Sequence, residues 1–150
     1  NDIVINGKKV CGILTEMSAE MDRINYIVVG IGVNVNNKTF PENLPYASSL
    51  ALEGKREYTR KEIIQQFLIQ FEKDYATYIS DQSLKHLIQR YSQNCITLNN
   101  KVKIIEQDRE RVAFAKGITE DGALKLINEN NEEEIVFAGE VSVRGIYDYV

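Results

Sequence analysis

Tryptophan is absent from this sequence, histidine occurs once (His86), and proline and cysteine occur twice each. A zinc site needs about four clustered ligands, which one histidine and the distant pair Cys11 and Cys95 cannot supply. Both cysteines are expected as free thiols, the usual state in a reducing cytosol. No apolar run approaches the roughly 18 residues of a membrane-spanning helix, and no signal-peptide or lipidation pattern occurs. A cytoplasmic location without a membrane partner is therefore expected. Positive charge is also scarce: 18 Lys and Arg stand against 22 Asp and Glu, a net charge of −4. Residues 1–58 carry −1, residues 59–100 carry +1 and residues 101–150 carry −4. No segment is basic enough to track a phosphate backbone, so nucleic acid is not expected as a partner of this stretch.

The chain does contain apolar material for a core, 43% of its residues, enough for one domain or one and a half. Asn6-Gly7 lies between two alternating apolar runs, and both residues accept the positive φ of a type I′ turn, so a β-hairpin is expected here. With those two residues as the loop, Ile5 faces Lys8, Val4 faces Lys9, Ile3 faces Val10 and Asp2 faces Cys11. That register makes Asp2 and Lys9 diagonal neighbours on one face. Residues 24–35 are nearly all apolar and β-branched, the pattern of a strand covered on both faces in the centre of a sheet. Residues 37–57 read as irregular, with one short helix near 46–52.

A capping box at Thr59-Arg60-Lys61-Glu62 opens a helix whose inward stripe is Ile63, Ile64, Phe67, Leu68, Phe71, Tyr75 and Tyr78. A second helix is expected over 83–92, with His86 on its exposed face. From Val102 the period falls to two. Short strands at 102–105, 111–118, 124–127, 135–137 and 141–144 read as a small SH3-like barrel. The fold class is thus α+β, a mixed sheet with helices followed by a barrel. The boundary lies near 95–101, dividing 1–98 from 99–150.

Several residues admit both a chemical and a structural reading. Lys9 shares its face with Val4 and Cys11, and an ammonium there requires a counter-charge. It either pairs with Asp2 or Glu16 at a sheet edge or serves a charged ligand, and Asp2 divides the same way between salt bridge and site. Gly30-x-Gly32 marks close approach of a ligand or a bulge. Asn34 suits the edge of a purine or forms a turn. Glu140 and Arg144, four apart in a strand, share a face and either pair or meet a ligand.

The joint order of Asn1-Asp2, Lys9, Gly12-Ile13-Leu14-x-Glu16, Gly30-x-Gly32-x-Asn34, Gly117-Ile118, Asp121-Gly122-Ala123-Leu124 and Gly139-Glu140-Val141-Ser142-Val143-Arg144 resembles the biotin–protein ligases over nearly the whole chain. The resemblance implies the latter half of a class II synthetase-like catalytic domain followed by the family's SH3-like barrel. It implies ATP, Mg2+ and biotin as substrates of the full enzyme, with no protein-ligated metal, and a biotin carboxyl carrier domain as partner. It makes Lys9 and Asp2 the catalytic pair. Asn1, Gly12, Ile13, Leu14, Gly30, Gly32, Asn34, Glu140 and Arg144 become contacts to biotin and its adenylate.

The family's glycine- and arginine-rich phosphate loop precedes Asn1-Asp2 in order and has no counterpart here. The chain, starting inside a strand without Met, is therefore expected to be a fragment that is inactive alone and self-associates, as a homodimer through its sheet. Alternatives are a lipoate or octanoyl transferase of related architecture, a non-catalytic protein-binding module, or a biotin-responsive repressor if a winged helix lies upstream.

Overall fold

The computed structural model describes residues 1–20, 22–106 and 109–137, together with the backbone of 142–145. By compactness the chain divides into two units, Asn1–Gln66 and Phe67–Val150.

The first unit is built on a three-stranded antiparallel sheet of β1 (Asp2–Ile5), β2 (Lys8–Glu20) and β3 (Arg23–Val33), in that order. Asn6 and Gly7 take φ of 53° and 74°, the left-handed values that the hairpin turn requires. Ile5 pairs with Lys8 and Val4 with Lys9, as the turn dictates. The expected register then fails. A β-bulge makes Val10 the extra residue, so Ile3 faces Cys11 and Asp2 faces Gly12. The bulge turns Val10 and Cys11 both inward, at 1% and 4% exposure. Ser49 caps the short helix α1 (Leu50–Gly54) by accepting from the Leu52 N–H.

Two expectations are corrected in this unit. The sheet is not mixed: its strands pair antiparallel, and the parallel element is a single bridge between Lys9 and Ala47. Nor is β3 covered on both faces. Among the described residues it pairs with β2 alone, and every one of its residues is exposed. An apolar, β-branched strand predicts burial by its chemistry, but burial needs a second layer, and the residues of β3 all remain exposed.

Helix α2 (Arg60–Asp81) and helix α3 (Lys85–Asn94) follow. The apolar stripe of α2 is also not a core face. Phe67, Phe71 and Tyr75 are about half exposed and stack along the helix at 5.8 and 5.7 Å between ring centroids. Within the second unit Asp74 accepts from Gln70 and from Arg90, joining α2 to α3.

The second unit's sheet contains β4 (Lys101–Glu106), β5 (Arg109–Ile118), β6 (Leu124–Ile127), β7 (Glu133–Val136) and β8 (Ser142–Gly145), ordered β7-β6-β5-β4-β8 and antiparallel throughout. Period-two alternation sends Val102, Ile104, Ala113, Ala115 and Leu126 into one cluster with Leu98 and Val136. Ile104 and Leu126 have no exposed surface, and truncating either to Ala would cost about 2–5 kcal/mol. The expected closed barrel is not found among the described residues. Among the described residues the outer strands β7 and β8, four residues each, bond only to β6 and β4 respectively. No described helix is long and apolar enough to cross a membrane.

Candidate functional site

The bulge at Val10 decides which side chains meet. In a regular strand Lys9 and Gly12, three apart, would point to opposite faces. With one extra residue between them they share a face. Gly12 pairs with Asp2 on one side and Gly32 on the other, and two residues along Leu14 pairs with Gly30. One face of three adjacent strands therefore carries Asp2, Gly12 and Gly32 in a row, with Leu14 and Gly30 in the next. Three of these five lack a side chain, which leaves a recess of about 500 Å3 with a backbone floor. Asn1, Asp2 and Lys9 line one end, Leu14 stands as an apolar wall, and Ile13 and Ile31 complete the lining.

Lys9 Nζ lies 2.8 Å from Asp2 Oδ1, the side chains being 37% and 23% exposed. A partly exposed pair of this kind contributes about 0–1 kcal/mol to folding. Both charges act on Cys11. Burial pushes the Cys11 thiol up, Asp2 adds to the rise and Lys9 opposes it. Cys11 and Cys95 are both free thiols.

The bulged segment is held from its far edge. The Lys9 N–H donates to the Tyr46 carbonyl at 2.7 Å, and the Ser48 N–H donates to the Lys9 carbonyl at 2.8 Å. The Asn34 N–H donates to the Val10 carbonyl at 2.8 Å. Ser48 and Ser49 are almost completely buried. Asn34 does not line the recess; its Nδ2 donates to the Ser48 carbonyl at 3.0 Å. Glu140 lies outside the described residues, and Arg144 is placed only as backbone in β8, opposite Lys103.

The structure thus brings together Asn1, Asp2, Lys9, Gly12, Ile13, Leu14, Gly30 and Gly32, and does not bring Asn34 into the same recess. Sequence reasoning missed Ser48, Ser49 and Glu53, which support the Lys9 strand. The signal available was Ser49 immediately before the apolar Leu50, an N-cap pattern. Among the described residues there is no group of three His, Cys, Asp or Glu fit to hold a metal.

Comparison with known proteins gives a consistent result. Residues 97–144 match the family described as the biotin protein ligase C terminal domain. The chain is 35% identical over 143 residues to the bifunctional ligase/repressor BirA of Bacillus spizizenii, covering 92% of this chain and 43% of that protein. It is 37% identical over 137 residues to BirA of Bacillus subtilis, covering 88% and 41%. It therefore spans less than half the length of these relatives. Among solved structures, the apo biotin protein ligase of Aquifex aeolicus superposes with a TM-score of 0.82 at 25% identity, over 97% of this chain and 62% of that one. The same enzyme in complex with biotin and ATP superposes with a TM-score of 0.79 at 25% identity, over 97% and 60%.

Proposed function

We propose that this chain, which belongs to the biotin–protein ligase family, forms the part of such an enzyme that holds biotin and ATP while biotinyl-5′-adenylate is made. The observation that carries the reading is the Lys9–Asp2 pair at the end of a glycine-floored recess. Support comes from the family match and from the relative solved with biotin and ATP.

In the proposed reaction a carboxylate oxygen of biotin attacks the α-phosphorus of ATP. A new P–O bond forms, the bond to the bridging oxygen breaks, and pyrophosphate leaves with the electron pair. Lys9 places a compact positive charge where negative charge accumulates on the phosphoryl oxygens and need not move a proton. Asp2 orients that ammonium. Backbone at Gly12, Ile13, Gly30 and Gly32 lets a flat bicyclic ligand lie against the sheet, with Leu14 as its apolar wall. The ε-amine of a lysine on a biotin carboxyl carrier domain then attacks the acyl carbon, and AMP leaves. Magnesium, which neutralises phosphate charge, is commonly held by one or two carboxylates plus phosphate oxygens; Asp2, lining the recess, fits that pattern.

The finer assignments belong to the same reading: residues 1–98 as catalytic domain, 99–150 as an SH3-like module, Asn1 and Asn34 toward the ligand, and Glu140 with Arg144 toward the phosphate. Because the family's phosphate-wrapping loop has no counterpart in these 150 residues, the chain alone is proposed to be inactive.

The test is adenylate formation by the full-length protein given biotin, ATP and Mg2+, followed by transfer to a carrier domain. Lys9→Ala should lower the adenylation rate about a hundredfold or more, as loss of one such donor does, and Lys9→Arg should restore only part. Near-normal turnover with a lowered unfolding midpoint would make Lys9 structural and overturn the assignment.

A further inference from the structure

The bulge that turns Lys9 toward the recess weakens the pairing of its own strand. A bulged residue is left out of the ladder, and one more slip would return the ammonium to the other face. Something must hold residues 9 and 10 in this register. Their outer edge is bonded by residues 46–48 and Asn34, through Lys9 to Tyr46, Ser48 to Lys9 and Asn34 to Val10. That outer segment is irregular and needs an anchor of its own.

Glu53, on α1, supplies it. Its Oε1 accepts from Ser48 Oγ at 2.6 Å and its Oε2 accepts from Asn6 Nδ2 at 2.8 Å. One carboxylate thus ties the hairpin turn before Lys9 to the residue whose N–H holds the Lys9 carbonyl. We propose that Glu53 is a positioning residue for the reaction, clamping both sides of the bulge so that the Lys9 ammonium stays at the end of the recess. The inference rests on the ligase reading for its catalytic consequence but not for the clamp.

The two donors hold the Glu53 carboxyl below the usual carboxylate range, the Ser48 contribution being larger than that of Asn6. Both contacts are therefore made to the ionised form. A glutamine in its place can still accept from Asn6 Nδ2 but can meet Ser48 Oγ only by donating to it, so Glu53→Gln exchanges two hydrogen bonds to a charged carboxylate for weaker neutral ones.

Two measurements on the full-length protein test this. In hydrogen–deuterium exchange, Glu53→Ala should speed exchange of the segments containing Lys9 and Ser48 about tenfold or more, a loss of roughly one hydrogen bond's free energy. Exchange in the second unit's sheet should not change. In adenylation kinetics, Glu53→Ala should lower kcat about tenfold with little change in the KM for biotin, and Glu53→Gln should fall between it and the wild type. In a Lys9→Ala background Glu53→Ala should cost nothing further, because a clamp acts through the lysine.

Unchanged exchange at Lys9 and Ser48 overturns the clamp. An equal loss of kcat in both backgrounds overturns positioning through Lys9. A wild-type protein that forms no adenylate, with exchange behaving as expected, overturns the ligase reading while the clamp stands.

Discussion

Gly12 lies directly beneath the Lys9 ammonium: a Cβ added at position 12 would come within 3.3 Å of Lys9 Cε and 3.4 Å of Nζ. At that distance the lysine must give way by a few tenths of an ångström. Gly12→Ala is therefore expected to leave the fold intact and displace the charge. Since a misplacement of about 1 Å costs roughly a hundredfold, a rate loss of about tenfold is expected. Comparing adenylation rate with unfolding midpoint on this variant checks it; an unchanged rate would show that Lys9 need not sit where it does.

Gly30 has a different neighbourhood. A Cβ there would meet only the Leu14 carbonyl, at 3.7 Å, an ordinary contact. The methyl would instead occupy recess space opposite Leu14. Gly30→Ala should hold or slightly raise the unfolding midpoint, because Gly weakens a strand interior. It should also raise the KM for biotin about tenfold, the equivalent of about 1.4 kcal/mol of steric conflict. Unaltered KM would place the ligand elsewhere.

The bare strand β3 carries the next expectation. Tyr26, Val28 and Val29 are all more than half exposed on a strand paired along one edge among the described residues. Such an edge templates pairing with another copy, so the 150-residue chain should self-associate. Tyr26→Lys with Val28→Lys should weaken that association about tenfold or more. Light scattering across a concentration series decides, and a monomer at every concentration would contradict the expectation.

Asp74 gives a pH dependence with a definite sign. Gln70 and then Arg90 hold its carboxyl below the ordinary range. A depressed folded-state value means stability that is present above the unfolded value, about 3.9 for Asp, and lost as pH falls through the lower folded value. Asp74→Asn should therefore lower the unfolding midpoint at pH 7, and the gap from the wild type should narrow toward pH 2 to 3. Midpoints that differ equally at both pH values would mean that the charge is not what Asp74 contributes.

Much of this was written in local sequence. The period-two alternation of 101–127 suffices to place β4, β5 and β6, because a strand needs only its own pattern and a neighbour to cover it. Asn6-Gly7 settled the turn and the first two pairs of the hairpin, since only that turn accepts two positive φ values in succession. Glycines at 12, 30 and 32 marked where the sheet would be bare of side chains, and all three line the recess.

Three features had no local signature. The bulge at Val10 arises where Lys9 and Val10 bond outward to residues far along the chain, and it reverses which face Gly12 shares. The clamp joins Asn6 to Glu53, residues separated by most of the first unit, and its two hydrogen bonds exist only once α1 has docked. The exposure of the β3 residues and of Phe67, Phe71 and Tyr75 on α2 is likewise invisible in composition. Apolar sequence declares that a face should be buried, but only the assembled layers decide whether a partner is there to bury it.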